Sequence, residues 1–109
     1  MNKLPYLCLA LLTALALAGC SSKSSDEYTV TIKDFKFSPD SITIEHGEKI
    51  TFRNADSATH TATSDTAGAF DTGNIAAGSD AVVTFATAGT FTYHCAIHSN
   101  MAHATVIVT

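Results

Sequence analysis

Basic residues are scarce in this chain: six Lys and Arg stand against ten Asp and Glu over 109 residues, a formal net charge of −4. No basic stripe breaks that balance, which excludes nucleic acid as a partner. A mildly acidic domain stays soluble beside an anionic membrane and suits a partner with a positive docking face. Long hydrophobic runs are also missing: the longest, Leu4 to Ala18, falls short of the ~20 residues that a membrane-crossing helix needs. No internal repeat is visible, and no stretch keeps a convincing helical period. Neither a carboxylate pair nor a nucleophile–base pair stands out, so no reaction on a small-molecule substrate is expected.

Sulfur is rare and unevenly placed. The three cysteines are Cys8, Cys20 and Cys95, and apart from Met1 the one methionine is Met101. Residues 1–19 read as a signal peptide of the lipoprotein type: Lys3 near the start, the apolar run, then Leu17-Ala18-Gly19-Cys20. That ending resembles a bacterial lipobox, in which the cysteine is lipidated and cleavage falls just before it. Residues 20–27 then form the lipidated N-terminus and a Ser-rich flexible linker. Residues 28–109 suffice for one small β domain with one core and not for two. The expected location is exported and lipid-anchored to the membrane, facing the periplasm or the cell exterior. Cys95 would be the lone thiol of that domain, a liability in an oxidising compartment unless something occupies it.

From Tyr28 onward the pattern has period 2. Tyr28, Val30 and Ile32 alternate with polar residues, as do Ile42 with Ile44 and Ile50 with Phe52. Ser38-Pro39-Asp40 and His46-Gly47-Glu48 mark turns. Residues 54–80 are rich in Ala, Thr, Ser, Asp and Gly, and predict irregular loops with one or two short strands. Ala81–Phe85, Phe91–Cys95 and Ala104–Val108 complete a set of short strands that argues an all-β antiparallel sandwich.

The chemistry concentrates near the end, where Cys95, His98 and Met101 stand three residues apart. With a second imidazole from far upstream, His60, these residues make the Cys, two His and weak axial Met of a blue-copper electron-transfer site. Taken singly, each has a plainer reading: Cys95 an inert core thiol, Met101 core filler, His60 a surface side chain. Together they favour metal. His46, His94 and His103 compete for the second imidazole place. His46 lies in a turn, and His94, adjacent to Cys95 on a strand, should point to the opposite face. His103 is read as a surface side chain, with an alternative axial donor or part of a second weak metal site left open.

Thr92-Tyr93-His94-Cys95-Ala96-Ile97-His98-Ser99-Asn100-Met101 resembles the copper loop of the cupredoxins, with C-x-x-H-x-x-M spacing similar to the plastocyanin–amicyanin branch. Ile50 to Asn54 followed by His60-Thr61 resembles the segment that carries the family's first histidine ligand. The likeness runs from Tyr28 to Thr109, and His103 departs from it where the family usually has a small residue. It implies a Greek-key β-sandwich with one copper ion, Cu(I)/Cu(II), held by His60, Cys95, His98 and Met101. It further implies that the Thr61 N–H bonds the Cys95 sulfur and that Asn54 braces the ligand loops. The activity implied is single-electron transport between redox protein partners such as cytochromes or membrane oxidoreductases. The same ligands would also suit a copper-binding protein for storage or delivery in the cell envelope.

Overall fold

The computed structural model describes residues 28–109. The expected signal peptide, the linker and the lipidated Cys20 lie outside the described residues. Eight strands form two four-stranded sheets. One sheet has the order β2-β1-β4-β6, from β1 (Tyr28–Lys33), β2 (Lys36–Ser38), β4 (Glu48–Asn54) and β6 (Asp80–Phe85). The other has the order β3-β8-β7-β5, from β3 (Ser41–Ile44), β5 (Thr63–Ser64), β7 (Gly89–His94) and β8 (Ala104–Val108). No helix occurs among the described residues.

The sandwich expected from the sequence is present, with mixed sheets rather than antiparallel pairing throughout. β1 pairs β4 in parallel, as β3 pairs β8. The cause is the route of the chain. After the β1–β2 hairpin it crosses to the opposite sheet for β3, then returns to lay β4 beside β1 in the same direction. A crossover between parallel neighbours is a tertiary event that a period-2 pattern does not encode.

Alternation sets which side chains build the core. Val30 and Ile32 of β1, Ile50 and Phe52 of β4, Tyr93 of β7, and Ala104, Val106 and Val108 of β8 all point inward and are buried. The inward series of β4 ends in Asn54, a fully buried polar side chain. In β7 the inward Tyr93 is followed by outward His94 and then, just past the strand end, by buried Cys95. Phe37, Phe52 and Phe70 surround Tyr93, with ring centroids 4.8, 5.6 and 5.8 Å away.

The Tyr93 hydroxyl is buried and meets no hydrogen-bond partner among the described residues. Burial, with the charge of Asp40 adding to it, pushes its ionisation well above the usual phenol range. Removing an unpartnered buried donor recovers its desolvation cost. Tyr93→Phe should therefore leave stability unchanged or raise it by about 1 kcal/mol. A urea-unfolding midpoint that falls would show that the hydroxyl has a partner after all.

Candidate metal centre

Cys95 leaves the end of β7 into a short loop that turns back at Met101, whose N–H donates to the His98 carbonyl at 3.1 Å. Cys95 is a free thiol, 1 % exposed, and Met101 is buried in the same core cluster. His60 comes from the long loop after β4. It is fully buried and forms an isolated bridge to Ile75, with its carbonyl accepting from the Ile75 N–H at 2.7 Å. His60 Nδ1 lies 3.7 Å from Cys95 Sγ, although 35 residues separate them. The His98 ring stands 5.0 Å from the His60 ring, centroid to centroid, and is half-buried.

Hydrogen bonding fixes which nitrogen of each imidazole is free. His60 Nε2 lies 2.8 Å from an Asp56 carboxylate oxygen. Burial works to raise the Asp56 carboxyl, but the Phe35 N–H, the His60 ring and the Asp34 N–H outweigh it and hold its pKa below the usual carboxylate range. An ionised carboxylate only accepts, so His60 Nε2 carries a proton, and the neutral ring would present the Nδ1 lone pair toward the sulfur. His98 Nε2 lies 3.1 Å from the Thr59 carbonyl, which likewise only accepts. In its neutral form each imidazole thus has Nδ1 left to bind a metal. A carboxylate or carbonyl behind the ring is the arrangement that orients metal-ligating histidines.

Thr61 ties the two segments together. Its N–H donates to Cys95 Sγ at 3.4 Å, and its Oγ1 accepts from the Ala96 N–H at 2.8 Å. The Thr63 hydroxyl is spent on Asp71, so the Thr61 hydroxyl donates to Thr63. Asn54 braces the His60 side instead of spanning to the Cys95 loop. Its Nδ2 donates to the carbonyls of Ala58 and Ile75, both at 2.8 Å, and its Oδ1 accepts from the Asp56 N–H at 2.9 Å. Of the six candidate site residues in the described domain, five are buried and His98 alone reaches solvent.

Three further residues belong to the site and were not singled out in the sequence. Asp34 and Phe35 form the two-residue turn of the β1–β2 hairpin, with φ of 54° and 58°. Left-handed backbone suits Asp but not a bulky aromatic. The Asp56 carboxylate holds this turn by accepting both N–H groups, at 2.7 and 2.9 Å. Phe35 is thereby set edge-on against the rings of His60 and His98, at 5.0 and 4.9 Å, while staying 45 % exposed. One carboxylate therefore orients a buried imidazole and the aromatic that covers it. The available signal was a change of phase: inward positions are even-numbered through Ile32 and odd-numbered at Phe37, so a turn must intervene. Removing this carboxylate by Asp56→Ala should cost about 1–3 kcal/mol in urea unfolding: water replaces it in part at the exposed turn donors, but the buried His60 Nε2–H loses its acceptor. An unchanged midpoint would rule out the carboxylate as the clamp of the turn.

A family model described as a cupredoxin-like domain matches residues 6–108. Among solved structures, a purple cupredoxin from Nitrosopumilus maritimus is 21% identical with a TM-score of 0.67, over 75% of this chain and 99% of that one. Amicyanin from Paracoccus versutus is 25% identical with a TM-score of 0.68, over 78% of this chain and 83% of that one. A copper-containing nitrite reductase from Thermus scotoductus is 25% identical with a TM-score of 0.69, over 77% of this chain but 22% of that one. No curated protein sequence matches the chain.

Proposed function

The chain belongs to the cupredoxin family, and from that premise we propose that it is a blue-copper protein that carries single electrons between exported redox partners. The observation that carries this reading is the 3.7 Å approach of His60 Nδ1 to the buried Cys95 Sγ, with the Thr61 N–H directed at the same sulfur. The donor set fits copper: a soft thiolate and thioether with two imidazoles suits neither Cu(I) nor Cu(II) strongly. Copper bound by Cys95, His60, His98 and Met101 would supply a one-electron couple.

The protein's own groups do the rest. Asp56 holds the His60 ring with Nδ1 facing the sulfur, the Thr59 carbonyl holds the His98 ring through Nε2, and the Thr61–Ala96 bond locks the loops against each other. Ligands fixed in this way need little movement when an electron arrives. The Thr61 N–H withdraws charge from the sulfur and so favours the reduced state. Electrons would pass through His98, the ligand that reaches solvent, between the exposed apolar side chains of Phe35 and Ile97. We read the chain as a carrier and not an enzyme, since the sulfur ligands are sealed from any substrate. The nitrite reductase shows that the same fold also serves within an enzyme.

The envelope location is part of this proposal and rests on the sequence. The leader, with its Leu17-Ala18-Gly19-Cys20 ending, and the Ser-rich segment that follows support a domain tethered by lipid at Cys20. Voltammetry of the copper-loaded chain tests the carrier reading: a reversible one-electron wave is expected, with copper that resists exchange into a chelator. Rapid loss of copper to the chelator, with no reversible wave, would favour storage or delivery instead.

A further inference from the structure

On the outer face of the second sheet three potential ligands meet that the buried site does not use. β5 pairs β7 with Thr63 opposite His94, and the ladder is extended by the Asp65 N–H donating to the Thr92 carbonyl at 2.9 Å. β7 pairs β8 with Tyr93 opposite Ala104, so His103, one step further, faces His94 across the strands. Strand alternation turns all three side chains away from the core, because their neighbours Ser64, Tyr93, Cys95 and Ala104 are the ones buried.

The Asp65 carboxylate sits between the rings. One oxygen meets His94 Nδ1 and the other meets His103 Nδ1, at 2.5 and 3.0 Å. The rings stack 5.3 Å apart with 28° between their planes, and the three ligand atoms lie within 4.8 Å of one another. They line an open cleft of about 380 Å³ together with Cys95, Ala96 and Ser99. The Thr92 hydroxyl and the two imidazoles, against some desolvation, hold the Asp65 pKa at about 2, so the carboxylate is ionised throughout the neutral range.

We propose that Asp65, His94 and His103 form a second, surface metal site that takes a borderline divalent cation such as Zn²⁺ or Cu²⁺. Two imidazoles and a carboxylate are the donor types such ions prefer. At present each Nδ1–H donates to the carboxylate. A cation in that place would displace the two protons to Nε2 and accept three donors at once, with water completing its coordination from the cleft. The strands position all three donors before any ion arrives, so little ordering cost attends binding. The two metal positions use different side chains, since Cys95 is buried while its neighbour His94 is half-buried beside the exposed Asp65 and His103. This inference does not depend on the identity of the ion at Cys95.

The test is calorimetric titration of the copper-loaded full chain with Zn²⁺, repeated on the Cys95→Ser chain. One Zn²⁺ per chain is expected in both, with the ring resonances of His94 and His103 shifting and the visible absorption of the copper form unchanged. His103→Gln, a change at an exposed position that leaves the fold alone, and Asp65→Asn should each weaken that binding at least tenfold. The proposal is overturned if neither chain takes up Zn²⁺, if uptake survives both substitutions, or if Zn²⁺ binds only by displacing copper.

Discussion

Cys95→Ser should abolish the intense visible absorption expected of the copper-loaded chain and weaken copper binding by well over the ~100-fold that loss of a supporting group costs at a metal site. A thiolate is a soft anionic donor, whereas a serine hydroxyl is neutral at pH 7 and hard. The apoprotein should fold regardless. Serine is slightly smaller than cysteine, and its hydroxyl finds the Thr61 N–H, which in the parent chain donates to the sulfur. Apoprotein stability should therefore change by no more than about 1–2 kcal/mol, the cost of burying a hydroxyl that has a partner. Titration with Cu(II) followed by visible spectroscopy, beside a urea melt of both apoproteins, separates loss of a ligand from loss of fold. A variant that keeps the colour would remove Cys95 from the site.

Asn54→Ala gives the largest expected loss of stability, about 3–5 kcal/mol. The side chain is fully buried at an inward position of β4 and satisfies three backbone groups at once: the carbonyls of Ala58 and Ile75 and the N–H of Asp56. Alanine would strand these groups where water enters poorly, and each stranded buried group costs about 1–3 kcal/mol. The consequence reaches the metal. The Asp56 N–H that Asn54 holds belongs to the residue whose carboxylate orients His60, and Ile75 is the bridge partner of His60. Copper affinity should fall together with stability. Asn54→Asp makes a sharper comparison: its carboxylate still accepts from the Asp56 N–H but faces two carbonyl oxygens with no donor, so it should rescue little. A loss below about 1 kcal/mol for Asn54→Ala would mean that the bonds of this side chain are replaceable.

The sequence by itself determined much of this protein. Period-2 alternation around Val30, Ile32, Ile50, Phe52 and Val106 reports directly on which side chains are buried, since neighbouring residues of a strand face opposite ways. Cys95, His98 and Met101 lie within one loop, so their proximity is fixed by chain length alone. Only the tertiary structure decided the rest. The parallel pairs β1–β4 and β3–β8 depend on a crossing between sheets. The Thr61 contact to Cys95, the grip of Asp56 on both Phe35 and His60, and the meeting of His94 with Asp65 and His103 all join residues at least four and up to 38 positions apart. Sequence patterns report what a residue does to its own strand or loop. Which partner a carboxylate or a thiol finds is set by how strands from distant parts of the chain come into register.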